Sequence, residues 1–209
     1  MLKLVITRPS YETTTKYLFA WNQKVIKTAK IKSVETTDLS KQYATKRNLT
    51  DALFQSKPDL VFLNGHGAPD MIAGQDNEIL IKAGINEDIL KGKHVHALSC
   101  ETGKILGPAA VSIGAKSYIG YKEPFVFIAS KGKAAKPLSD KRASLFLDPA
   151  IEVSLSLLNG DSPTASYKNS QKATLKTIRA LAASGKKDSF LLRYLFWNLK
   201  HQVCLLQTK

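Results

Sequence analysis

Asp59-Leu60-Val61-Phe62-Leu63-Asn64-Gly65-His66-Gly67 is the stretch on which the fold turns. Leu60 to Leu63 is too short an apolar run for a helix and follows Pro58, so it predicts a central strand with both faces covered. Asn64-Gly65 ends that strand and leaves His66 at its carboxyl end, between two glycines. In open α/β sheets this edge is where ligands and catalytic groups gather.

Working outward, His94 to Cys100 repeats the pattern: a second strand runs out into Ser99-Cys100, and the spacing predicts a helix beginning at Glu101. A thiol at such a strand-to-helix turn would meet the positive end of the helix, which favours thiolate and can receive an oxyanion. If the two strands are parallel neighbours about 4.8 Å apart, His66 and Cys100 form a nucleophilic dyad. A core role for Cys100 and a pseudoenzyme are the competing readings. Cys204, in Val203-Cys204-Leu205-Leu206, reads as core.

The remaining chain supplies alternating strands and helices. Leu2 to Thr7 reads as the first strand, Ser10 as the cap of a helix to about Lys27, and Ile31 to Thr36 as an exposed edge strand. Thr45 to Ser56 is a second helix stopped by Lys57-Pro58. Residues 68 to 93 suggest a loop or small hairpin and one short helix, and Ala115 to Tyr121 a further strand. Leu145 to Leu158, Pro163 to Ser184 and Asp188 to Leu199 are helical, and His201 to Gln207 returns as a last strand. This order predicts a three-layer αβα domain with a mostly parallel sheet of about six strands. The 209 residues, 44% of them hydrophobic, suffice for one domain, 1–209. Its motif-bearing core is 1–121, followed by a basic surface loop at 129–142 and a helical part at 143–209.

The net charge of +14 raises nucleic-acid binding, but the lysines are scattered and accompany no nucleic-acid module, so a basic solvated surface is the plainer reading. No run of about 20 apolar residues predicts a membrane span. Two dissimilar cysteines and no secretory leader predict a reduced, cytoplasmic protein. His94 and His96 would share a face of their strand and raise a metal site, while Asn64-Gly65-His66-Gly67 raises a phosphate cradle. The two histidines lie upstream of the carboxyl edge that holds His66, and the glycines lack the spacing of a dinucleotide or P-loop fingerprint, so neither is favoured and no metal is expected.

Leu63-Asn64-Gly65-His66-Gly67, Ala97-Leu98-Ser99-Cys100-Glu101-Thr102-Gly103 and Gly114 to Tyr121 together resemble the caspase-like (clan CD) cysteine peptidases, nearest to the CHAT and gingipain-type branches. The likeness covers residues 2 to 121. It implies a cysteine endopeptidase with His66 and Cys100 as the catalytic pair and the N–H groups of Gly67 and Cys100 as the oxyanion hole. The reaction would pass through an acyl-enzyme thioester and need no cofactor. The implied partners are a protein or peptide substrate and a regulatory protein. Two features depart from the pattern: Leu98-Ser99 precede Cys100 with the glycine three places after it, and Leu98 stands where some relatives carry an aspartate for a basic substrate side chain. Asp70, Asp76, Glu101 and Glu123 are the acidic candidates for a substrate pocket. A catalytically silent module that binds a partner is the alternative.

Overall fold

A computed structural model describes residues 1–185 and 188–207. Its strands are β1 (Lys3–Arg8), β2 (Glu35–Ser40), β3 (Leu60–Asn64), β4 (Gly67–Ala68), β5 (Met71–Ala73), β6 (Ile79–Lys82), β7 (His94–Leu98), β8 (Ser117–Tyr121) and β9 (Gln202–Leu206). The helices are α1 (Thr13–Ile31), α2 (Lys46–Ser56), α3 (Leu106–Ser112), α4 (Lys141–Leu158), α5 (Pro163–Ala183) and α6 (Leu192–His201).

Six strands form the main sheet in the order β2-β1-β3-β7-β8-β9. All neighbours are parallel except β8 and β9, which are antiparallel. The side-chain period of two sends alternate residues to opposite faces, where they meet different helices. Leu4, Ile6, Leu60 and Phe62 pack with Tyr17, Leu18 and Trp21 of α1 and Leu147 and Ile151 of α4. Val5, Val61, Leu63 and Val95 pack with Leu49 and Leu53 of α2 and Leu106 and Ala110 of α3. These two cores make the three layers. Beyond them, α5 and α6 enclose a third cluster of Phe146, Ile178, Leu181, Leu191 and Leu195.

Several boundaries differ from expectation. Helix α1 is capped by Glu12, not Ser10, because the Glu12 carboxylate accepts from the N–H groups of Thr14 and Thr15. The edge strand lies at Glu35–Ser40, since Ile31 still belongs to α1. Residues 67–82 form a three-stranded antiparallel sheet in place of a loop or single hairpin, and the short helix after it is one 3-10 turn at Glu87–Leu90. The basic loop ends at Asp140, whose buried carboxylate accepts from Tyr17, Ser130, Arg142 and Ala143. Burial works against its ionisation, but these donors, Tyr17 and Ser130 foremost, hold the Asp140 carboxyl down at about 2. Among the described residues, no helix is long and apolar enough to cross a membrane.

Candidate functional site

Strands β3 and β7 pair in register, Leu60 with His94 through Asn64 with Leu98. His66 and Cys100 each lie two residues beyond the last pair, Asn64 and Leu98. They therefore leave the sheet at the same level, on strands about 4.8 Å apart. Asn64 is fixed in the turn below: it is buried, takes a hydrogen bond from the Asn22 side chain at 2.8 Å and donates to the Thr7 carbonyl at 2.8 Å.

Two glycines permit the chain to turn there. Gly65 has φ +149°, and a Cβ on it would lie 2.1 Å from the Ala73 carbonyl oxygen. A Cβ on Gly67 would fall 2.4 Å from the Cys100 carbonyl oxygen and 2.8 Å from Thr102 Cγ2. The backbone after the histidine is thus pressed against the backbone of the cysteine turn, a contact only glycine allows.

His66 is held from a direction the motifs did not reveal. Its Nε2 lies 3.3 Å from Glu12 Oε1, and its ring meets Tyr11 edge-on with centroids 6.2 Å apart. Tyr11 is anchored in turn by its hydroxyl, which donates to Asn77 Oδ1 at 2.6 Å. Glu12 has two tasks at once, since the same carboxylate caps α1. Burial disfavours its charge, yet the Thr15 and Thr14 N–H groups and then His66 outweigh that and hold its carboxyl below the usual range. Glu12-Thr13-Thr14-Thr15 carries a local signal for this cap, a reciprocal capping box. Its approach to His66 spans 54 positions and leaves no local mark.

The surroundings of Cys100 correct one expectation. No helix begins at Glu101; residues 101–105 are turns and α3 starts at Leu106. The cysteine therefore lacks a helix N-terminus to favour its thiolate. Burial pushes the Cys100 thiol up, and the neighbouring negative charge of Glu101 adds to it. The sulfur is half-buried and donates to the Phe125 carbonyl at 3.8 Å. Phe125 packs on Tyr121 with centroids 4.8 Å apart, and its loop is locked to α6 by Asn198, which bonds both the N–H and the carbonyl of Val126. Glu101 itself has φ +58°, a left-handed conformation that costs a side-chain-bearing residue about 1 kcal/mol.

The acidic candidates separate into three groups. Glu101 and Glu123 stand beside Cys100 and share one cation, with Lys104 Nζ 4.0 Å from Glu101 and 3.7 Å from Glu123. Asp70 lies in the β4–β5 turn and faces Lys82 at 3.6 Å. Asp76 sits in a tight turn at φ +53°, accepting from Gln75 on the Tyr11 side. His94 bonds the Ser117 hydroxyl and His96 the Ser154 hydroxyl, so the two strand histidines are engaged with separate neighbours. Among the described residues no three His, Cys, Asp or Glu side chains converge as a metal would require. Cys204 lies partly buried against the α1/α4 core, and burial pushes its thiol up to about 11.

No protein-family profile and no curated protein sequence matches the chain. Solved structures do. One, a complex of Porphyromonas gingivalis RgpB pro- and mature domains, superposes with a TM-score of 0.61 over 99% of this chain at 9% identity. The chain spans 47% of the length of that structure's chain. With the sheet order and the helices on both faces, this likeness makes the fold a three-layer, gingipain-like caspase fold.

Proposed function

We propose that the chain is a cysteine endopeptidase in which Cys100 is the nucleophile and His66 the general base and acid. The observation that carries this reading is the shared register: a histidine and a cysteine each two residues past the last pair of adjacent parallel strands, with Gly67 against the cysteine backbone. A proton on His66 Nε2 directed at Glu12 leaves the Nδ1 lone pair as the site that takes the thiol proton. Glu12 is then the positioning residue that fixes the tautomer. The thiolate attacks a peptide carbonyl, the oxyanion collects at the N–H groups of Gly67 and Cys100, and the protonated histidine delivers its proton to the leaving amine. Water then hydrolyses the thioester. We read residues 1–209 as one cytoplasmic domain acting on protein or peptide substrates, with Asp70, Asp76, Glu101 and Glu123 as candidate pocket residues.

A second reading, a silent caspase-like module that binds a partner, is favoured by one observation: the thiol is half-buried, raised by burial and bonded to Phe125. Acyloxymethyl ketone probes with varied side chains, followed by intact mass of wild type and Cys100→Ala, separate the two. Labelling that requires Cys100 is expected. A folded sample labelled by no probe, with Cys100 alkylated by iodoacetamide no faster than a free thiol, would leave the silent module.

A further inference from the structure

The charge of this protein is unevenly placed. Fourteen of its 31 basic residues but only five of its 17 acidic ones follow residue 128, so that stretch carries +9 of the net +14. Helix α5 is the extreme case, with four cations and no acid over 21 residues. Lys168, Lys172, Lys176 and Arg179 are all exposed, and their steps of four, four and three keep them within about 80° of one another at ~100° per residue. Like charges so spaced on a helix repel one another. Among the described residues none of the four joins an ion pair.

The stripe runs into a groove of about 430 Å³ between the first turns of α4 and the last turns of α5. Leu145, Ala180 and Leu181 give it an apolar floor, and Lys141 and Lys176 stand on its rim. Arg142 is also there, but it is satisfied by Asp188 at 2.6 Å. A basic rim over an apolar floor with one fixed carboxylate suits a particular chemistry. A run of phosphates would meet Asp188 and, among the described lining residues, find no aromatic ring on which to stack a base. A peptide can instead place an aliphatic side chain on the floor and its carboxylates on the lysines.

We propose that this groove and the α5 stripe bind an acidic, amphipathic peptide segment of a partner protein. The apolar side chain of the segment enters between Leu145, Ala180 and Leu181. Its carboxylates pair with Lys141 and Lys176 and continue along Lys172 and Lys168. The site stands whichever reading of Cys100 holds, because it uses none of the residues at that strand edge.

The test is fluorescence anisotropy with a labelled glutamate- and leucine-containing peptide, the same peptide with glutamine for glutamate, and a labelled single-stranded oligonucleotide, at about 0.15 M ionic strength. Lys141→Glu/Lys176→Glu is expected to weaken the acidic peptide about tenfold, roughly the worth of two solvent-facing ion pairs. Ala180→Trp, which fills the groove and changes no charge, is expected to weaken it by a similar factor. Lys27→Glu/Lys30→Glu on α1 makes the same charge change on exposed lysines elsewhere and is expected to leave binding within about twofold. Equal losses in the two charge variants, equal binding of the glutamine peptide, tighter binding of the oligonucleotide, or no binding of the acidic peptide would each overturn the proposal. Circular dichroism of each variant separates a lost site from a lost fold.

Discussion

The ends of β3 and β7 leave the sheet at the same level, yet the two are prepared differently. The β3 end presents a partly exposed histidine with a carboxylate and an aromatic ring already placed around it. The β7 end holds a half-buried thiol against a carbonyl, with burial and a neighbouring carboxylate both opposing its ionisation. The proposed base thus stands partly open beside a carboxylate, while the surroundings of the thiol disfavour its charged form. The difference teaches that, under the proposed reading, the cost of making a thiolate lies first in the burial of Cys100 and then in the charge of Glu101 beside it.

The largest expected effect that tests this comparison is loss of the proposed base. His66→Ala should slow Cys100 labelling by an electrophilic ketone by about 10³-fold at neutral pH, with the deficit shrinking as pH rises and the thiol ionises unaided. A pH-independent deficit would remove His66 from proton transfer.

A second histidine sharpens the contrast from inside β7. His96 is 2% exposed, bonded through Nδ1 to Ser154, with no partner for Nε2 among the described residues, and burial pushes it down to about 3 from 6.5. The unfolded chain takes up a proton below pH 6.5 that the folded one refuses until about pH 3, so stability falls with pH across that window. The loss is about 1.4 kcal/mol per pH unit, or about 3 kcal/mol at pH 4.5. Urea midpoints at pH 7 and 4.5 check it; His96→Gln, which can still bond Ser154 but does not titrate, should lose most of the drop.

Gly67→Ala tests whether the two strand ends are truly in contact. The added methyl meets the Cys100 carbonyl at 2.4 Å, so a destabilisation of about 2 kcal/mol is expected in chemical unfolding. An unchanged midpoint would mean that the turns separate freely. The smallest effect belongs to Glu12→Gln, which can keep the cap of α1 while removing the charge beside His66. A rate loss of about tenfold in Cys100 labelling is expected, with a shifted pH profile and little change in thermal midpoint.

How much of this was legible depends on how far each determinant reaches along the chain. The β3 and β7 strands, the Thr45 cap of α2, Asn159-Gly160 after α4 and Pro163 at the head of α5 all follow from neighbouring residues. The start of α3 lies later than the spacing predicts because the apolar residues after Cys100 fall at helical intervals without forming a helix. Gly103 is instead pinned by its N–H to the Tyr121 carbonyl at 2.8 Å, and Pro108 in the first turn of α3 marks the later start. The polar β2 showed little periodicity, and part of its placement is set from outside by Asp38, which receives the Arg8 guanidinium. The His66 to Glu12 contact was invisible because it is made only after β1 and β3 lie side by side.

The antiparallel β8–β9 pair has a consequence for how the molecule is made. Tyr121 of β8 pairs with Gln202 and Ser117 with Leu206, a separation of 81 to 89 positions. During synthesis at about 5–20 residues per second, β8 must wait on the order of 4–18 s for that neighbour. Val203 closes over Gly103 just beyond the Cys100 turn. The packing over the Gly103 turn is therefore among the last parts of the sheet to be completed, and a nascent chain lacking β9 carries both strand ends without it.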